Sequence, residues 1–421
     1  MVKKVFVTIL SSGYSQFVGI CTFLMTAKFY GVEGRGIYAS VTSVATFSSA
    51  LVGLSVGMVL PYFVVSSGMA REQFLKEKLV TILALVFSLS LVAALAVAVT
   101  YGLDPMLRSK LPIKYLIVVG FSFPYYMWMG SNDYLFSSAG QIVQQNRIEF
   151  LNRTGFLVLS VLLIALARLS LLAYMALYGV FNLVQMTREV RFLLRKFDVD
   201  FVVDRRLVLD IVRKGISVHP VTVASMLNTT FSVLVITYYS KNLRDVGYFN
   251  FVCQLTSMLA ILPIVVNRYL LSEITAHGAL AVWPKQKRIM LYCLLVTALV
   301  CVAAFFLVEP FCKIFKREFI GAVDLFRLIL VMVVPSSFCI LMQSQWFSSG
   351  RFRLMSATNV TVGVLGALIT LVSVPKFHEF GAAATTVFTY GALFIVNLAF
   401  YLKIDRDFRA QRRELAIAAL Q

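Results

Sequence analysis

Charge is what this chain has least of. Asp, Glu, Lys and Arg together make up 14% of its 421 residues, where a soluble domain carries roughly a quarter. With 59% hydrophobic residues and a mean hydropathy of +0.84, that composition excludes a soluble globular protein and points to an integral membrane protein. Strict apolar/polar alternation is also missing, and most apolar runs reach about 20 residues or more, twice the length of an outer-membrane barrel strand. The spans are therefore helices.

Other absences exclude particular chemistries. The three histidines, His219, His277 and His378, are scattered, and the six cysteines show no CxxC or metal-type spacing. No zinc site or His-based catalytic site is visible, and the cysteines read as small apolar residues of the core. No paired carboxylates, no Ser/His/Asp set and no large external loop suggest an enzyme. Acids are outnumbered, 20 against 39 Lys and Arg, for a formal charge of +19. No basic patch is interleaved with aromatics, so nucleic acid is not an expected partner. In a membrane protein the excess instead reflects basic residues gathering in cytoplasmic loops. The start, MVKK followed by an apolar run to about Tyr30, has no A-x-A site and is read as an uncleaved first span.

Twelve apolar segments are present, over residues 5–29, 36–65, 79–101, 114–138, 152–168, 170–194, 215–240, 246–272, 289–309, 323–348, 354–374 and 380–402. With the N-terminus inside, 26 of the 39 Lys and Arg fall on the cytoplasmic side and 13 on the other. Both termini are thus expected in the cytoplasm. The longest polar link, residues 195–214, RKFDVDFVVDRRLVLDIVRK, reads either as a helix lying on the membrane surface or as a solvated linker. It separates an N-terminal six-helix bundle, 1–194, from a C-terminal one, 215–402, followed by a cytoplasmic tail, 403–421.

The halves carry traces of duplication. At an offset of 211 residues, Pro124 meets Pro335, Asn132 meets Gln343, Phe136-Ser137-Ser138 meets Phe347-Ser348-Ser349, and Gly36 meets Gly247. Both six-helix halves begin on the same side, so the repeats are parallel.

Several short patterns, in order along the chain, resemble the Wzx-type flippases of the polysaccharide transporter family, in the MOP superfamily (multidrug, oligosaccharidyl-lipid and polysaccharide exporters). They are YGVEGRGIYAS at 30–40, VGYFNFVCQLTSMLAILPIVVNRYLLSE at 246–273, FKREFIGAVDLFRLIL at 315–330, QWFSSGRFRLMSATN at 345–359 and FGAAATTVFTY at 380–390. The resemblance implies an all-α membrane protein with twelve transmembrane helices in two six-helix bundles around a central cavity. It implies transport of an undecaprenyl-pyrophosphate-linked oligosaccharide, an O-antigen or exopolysaccharide repeat unit of lipopolysaccharide or polysaccharide biosynthesis, from the cytoplasmic to the periplasmic leaflet of the bacterial inner membrane by alternating access. The partners it implies are that lipid-linked oligosaccharide, the lipid bilayer, and a polysaccharide polymerase and chain-length regulator. The lipid II flippases of the superfamily carry arginines well inside the first span. Here that span has only Lys28 near its end and Gln16 at mid-depth, which argues against lipid II as substrate.

Candidate residues follow from chemistry. Among the acids, the spans place only Asp133 clearly within a membrane helix, where a carboxylate costs about 2.5–3.5 kcal/mol. It is either a coupling residue for H+ or Na+ (no other cofactor is expected) or a carboxylate near the head groups, solvated or paired with Arg147. An anionic pyrophosphate calls for cations, and Lys28, Arg35, Arg147, Arg153, Arg268 and Arg351 lie at span ends. Each could equally be a snorkelling anchor. Gln16, Ser43, Thr46, Asn228 and Gln254 could bond sugar hydroxyls or neighbouring helices. The functional alternatives are a MATE-like multidrug or cation antiporter and a membrane glycan polymerase or ligase.

Overall fold

In the computed structural model, residues 2–67, 69–167, 169–348 and 352–418 are described, apart from some side chains near the termini and near residues 66, 228, 275 and 350. The described backbone is helical, as α1 (Val2–Val52), α2 (Val56–Ser66), α3 (Arg71–Leu103), α4 (Pro105–Lys110), α5 (Ile113–Gly120), α6 (Phe123–Ala139), α7 (Ile142–Ala167) and α8 (Leu171–Phe197). There follow α9 (Arg205–Thr229), α10 (Phe231–Tyr239), α11 (Arg244–Leu259), α12 (Ile261–His277), α13 (Ala279–Phe315), α14 (Val323–Leu330), α15 (Val333–Ser348) and α16 (Phe352–Ala418). Helices satisfy their backbone polar groups internally, which a hydrocarbon environment requires.

Two of these helices each hold two rods. α1 breaks at Gly31, with φ 69°, and α16 breaks at His378, with φ 48°. Four helices are long and apolar enough to cross a membrane alone, and four bent helix pairs become so when each is read as one span. Counted with the two breaks, the rods follow the twelve apolar segments of the sequence in order. Helix starts are set by local chemistry. The Asp104 carboxylate accepts from the Met106 and Leu107 amides ahead of Pro105, and the Ser170 hydroxyl accepts from the Ala173 amide. Gly140 ends α6 in the left-handed region, at φ 68°.

By internal packing the chain forms two compact units, residues 1–250 and 251–421. The division is one of packing and falls within α11. The first unit is centred on Trp128, Phe136, Leu60, Leu75, Leu79 and Tyr174, all buried. In the second, Trp346 stacks on Phe400 at 3.7 Å, and Trp283, Leu341 and Met342 complete the core.

Within the first unit, α1 crosses the start of α11 at very close range. A Cβ built on Gly36 would collide with the Leu243 carbonyl oxygen, and one on Gly247 with the Val32 carbonyl oxygen. Beside this crossing, the Ser40 and Thr237 hydroxyls bond at 2.8 Å.

The 195–214 link is helical at both ends and non-helical in its middle. α8 continues to Phe197, Asp198 turns the chain at φ 45°, and residues 199–204 are non-helical before α9. This strap is tied to α3. The Asp200 amide donates to the Lys76 carbonyl at 2.9 Å, and the Asp204 amide to the Thr81 hydroxyl at 2.9 Å. Lys78 bonds the Asp204 carboxylate at 3.0 Å, and Asp204 also caps α9 through the Arg206 and Leu207 amides. Lys78 and those amides hold the Asp204 carboxyl below its usual range. Contacts with α3 thus hold the non-helical middle of the link, while its second half, from Arg205, is the start of α9.

Candidate functional site

The apolar run of the second span is interrupted at Gly53, Leu54 and Ser55. Leu54 and Ser55 adopt φ 48° and 51°, conformations that L-residues rarely take and that cost about 1–3 kcal/mol each. Interrupting the helix frees the Leu51 carbonyl, and His219 of α9 reaches it through Nε2 at 2.9 Å. His219 Nδ1 lies 3.3 Å from the Ser55 hydroxyl, which also bonds Thr222 at 2.7 Å. Gly215 fits beneath because a side chain there would strike the Leu54 carbonyl oxygen. The strained segment is therefore over-determined by α9.

Beside it lies a cavity of about 280 Å³, bounded by the end of α1, the start of α2, α3, α6 and α9. Four methionines line it, Met58, Met127, Met129 and Met226, with Tyr126, Tyr134, the hydroxyls of Thr46, Ser49, Ser55, Ser131 and Thr222, and one charged group, Asp133. No Lys or Arg is among the lining residues. Asp133 is exposed and accepts a 2.5 Å hydrogen bond from the Gln145 amide of α7. Its carboxylate makes no ion pair with Arg147 among the described residues; the neutral Gln145 takes that place.

One residue behind Asp133 is a second carboxylate. Glu189 of α8 is fully buried. It accepts from the Trp128 indole at 2.6 Å, the Asn132 amide at 3.2 Å and the Gln185 amide at 3.0 Å. No Lys or Arg forms an ion pair with it among the described residues. Glu189 lies inside α8, within the apolar segment 170–194, and is more deeply buried than Asp133. A sequence signal existed. Asn182, Gln185 and Glu189 recur at helical spacing on one face of α8, and all three are buried.

The basic candidates lie on different helices. Lys28 and Arg147 are exposed, on α1 and α7. Arg153 bonds Glu149 at 2.6 Å, one turn away on α7. Arg268 on α12 and Gln254 on α11 are exposed and belong to the second unit. Arg35 is buried, and its guanidinium spans the Gly31 break. It donates to the Thr26 hydroxyl at 3.0 Å and to the Asn250 carbonyl oxygen at 2.6 Å, and lies over the rings of Phe23 at 4.6 Å and Tyr38 at 5.0 Å. Thr46 and Asp133 share the cavity. The side chains of Gln16, Asn228, Phe347 and Ser348, and the whole of Ser349 and Arg351, lie outside the described residues. Among the described residues, no group of three or more His, Cys, Asp or Glu could hold a metal ion.

Comparison with known proteins is informative at the level of fold. No family model matches the sequence, and no curated protein matches it. Solved structures do. The inward closed conformation of the lipid II flippase MurJ is similar with TM-score 0.73 at 12% identity, covering 98% of this chain and 93% of that one. The inward-facing conformation of a multidrug resistance MATE family transporter of the MOP superfamily is similar with TM-score 0.65 at 15% identity, covering 94% and 96%. A MOP superfamily transporter from Pyrococcus furiosus, described as having a binding pocket of reversed polarity, is similar with TM-score 0.57 at 13% identity, covering 98% and 96%. The chain thus has the fold of MOP superfamily membrane transporters over nearly its whole length.

Proposed function

We propose that this chain is a flippase that moves a polyprenyl-pyrophosphate-linked oligosaccharide, an O-antigen or exopolysaccharide repeat unit, from the cytoplasmic to the periplasmic leaflet by alternating access. The observation that carries the reading is the likeness to a lipid II flippase across 98% of the chain, a protein whose substrate has the same lipid-pyrophosphate-sugar chemistry. The ordered Wzx-like patterns and the missing arginines of the first span support a glycan other than lipid II. In this reading the protein sits in the inner membrane with both termini cytoplasmic, and works beside a polysaccharide polymerase and chain-length regulator. Lys28, Arg147, Arg153 and Arg268 contribute positive charge for the pyrophosphate; Arg35 contributes field while its fork is held by Thr26 and Asn250. Gln16, Asn228 and Gln254 bond the sugars, and Asp133 serves in coupling to H+ or Na+.

The test is reconstitution. Proteoliposomes containing the protein and a fluorescent polyprenyl-pyrophosphate oligosaccharide should make the inner-leaflet glycan accessible to an added hydrolase. Rates equal to those of protein-free vesicles would remove the reading.

A second reading is a MATE-like cation antiporter. One observation favours it: the cavity carries one carboxylate, four thioethers and two tyrosine rings but no basic group, a lining suited to an apolar cation. Efflux of a lipophilic cation dye that requires Asp133, without movement of lipid-linked glycan, would select it.

A further inference from the structure

Glu189 is not needed by any step assigned above, yet it is the most completely enclosed charged group of the first unit. Carboxylates in a dry interior are normally paired with a cation, because desolvating an ion costs several kcal/mol. Here, among the described residues, its hydrogen-bond donors are all neutral. The arrangement of these donors contains a second peculiarity. Gln185 gives its amide hydrogen to Glu189 at 3.0 Å and receives one from Asn152 of α7 at 3.2 Å. The Asn152 carbonyl oxygen at the far end is buried and has no hydrogen-bond partner among the described residues.

From these two facts we propose that Glu189 is a proton-binding site of the transport cycle, served by the Gln185–Asn152 amide pair as a reversible hydrogen-bond relay. With the carboxylate charged, both amides point their N–H groups toward it, as observed. With one proton taken up from cavity water, the carboxyl becomes a donor and needs an acceptor. A half-turn of the Gln185 amide presents its oxygen to the carboxyl, and its nitrogen then donates to the Asn152 oxygen once that amide has also turned. Amide groups turn without a change of shape. Each direction of the relay leaves one Asn152 atom unpaired, so the relay itself favours neither state. Trp128 cannot reverse, since an indole only donates; it holds one oxygen while the other changes role.

The route to the site runs beside the cavity. The Asp133 amide donates to the Asn132 oxygen at 2.8 Å, and the Asn132 nitrogen donates to Glu189 at 3.2 Å. Asp133 and Ser131 line the cavity. Other charged and titratable groups that bear on Glu189 are few. From α7 comes Glu149, already paired with Arg153 at 2.6 Å, and from α6 come Tyr125 and Asp133. Arg188 and Arg191, on the same helix, are exposed. On α3, Lys76 and Lys78 are engaged with Asp198 and Asp204 beyond the end of α8, and Glu77 lies beside Lys78. α1 and α5 meet α8 at its other half, where Tyr30 and Tyr38 flank Tyr174 and Ser122 lies by Gly179.

The consequence for transport rests on the flippase reading, but proton binding is measured without substrate. Infrared difference spectra of the full chain in nanodiscs, recorded on acidification, should show a protonated-carboxyl band that is lost in Glu189→Gln and retained in Asp133→Asn. Glu189→Asp keeps a carboxyl, so the band should move rather than vanish, which separates proton binding from misfolding of a single variant. A wild-type spectrum without the band, or an unchanged band in Glu189→Gln, would overturn the proposal whatever the substrate proves to be.

Discussion

Gly36 and Gly247 occupy equivalent places on two faces of one helix crossing. Where a side chain on Gly36 would stand, the Leu243 carbonyl stands; where one on Gly247 would stand, the Val32 carbonyl stands. Gly247 follows Gly36 by 211 residues, and Leu243 follows Val32 by the same 211. The contact is thus reciprocal between repeat-related residues, as a local two-fold relation requires. Close approach of this kind lets backbones pack where no hydrophobic force drives helices together.

Adding one methyl group at either glycine forces backbone apart from backbone. Gly36→Ala and Gly247→Ala are each expected to lower stability by about 1–3 kcal/mol, seen as a lower midpoint of thermal unfolding in nanodiscs. Gly391→Ala, where a Cβ would meet open space, should leave the midpoint unchanged. Equal midpoints for all three would show that the crossing is not tight.

Arg35 is a clasp before it is anything else. Its fork joins Thr26, before the Gly31 break, to Asn250 of α11. A lysine keeps the charge but cannot bond both. Arg35→Lys should therefore cost about 2 kcal/mol, in the range of charge-assisted hydrogen bonds. A variant with wild-type stability and altered affinity for a pyrophosphate-linked glycan would assign Arg35 to substrate instead.

Asp405 predicts an acid-dependent stability in the second unit. Lys287 at 2.5 Å, the Trp283 indole at 3.0 Å and Arg409 at 2.5 Å hold its carboxyl down to about 2. A folded-state value below the unfolded one, about 3.9, means stability that is present above that pH and lost as pH falls toward 2. Thermal midpoints should drop over this window in the wild type. Asp405→Asn should start lower at neutral pH and lose less on acidification. Parallel curves would remove this contribution.

Asp133 faces the cavity, and among the described residues its carboxylate bonds neutral Gln145 alone. If it couples transport to H+ or Na+, Asp133→Ala at equal expression should abolish the dependence of flux on pH or sodium. A profile identical to wild type would end that role.

Several features were legible in the sequence for identifiable reasons. Apolar run length located the long described rods, because span length is matched to bilayer thickness, whereas the short α4, Pro105–Lys110, fell outside every apolar segment. Pro124 and Pro335 each lie just after an interruption, between α5 and α6 and between α14 and α15, so the repeat was visible in residues that govern backbone. The strap after α8 was not legible. Its charge alternation suits a surface helix, but the decisive partners, Lys76, Lys78 and Thr81, lie on α3, more than a hundred residues earlier. Glu189 was hidden for a similar reason. Placed among Arg188, Arg191 and Arg195, it reads as part of a charged helix end, and only Trp128 and Asn132 arriving from α6 make it interior. The cavity lining was partly legible: Asp133 stood out by cost, while the methionines around it look like any apolar residues.

The most direct measurement is complementation of a strain that lacks its glycan flippase and whose repeat unit is of known structure. Expression of this chain is predicted to restore surface polysaccharide and to clear the lipid-linked units that accumulate at the cytoplasmic leaflet. Continued accumulation with no surface glycan, across strains of differing repeat-unit chemistry and with the protein present in the membrane, would contradict the account.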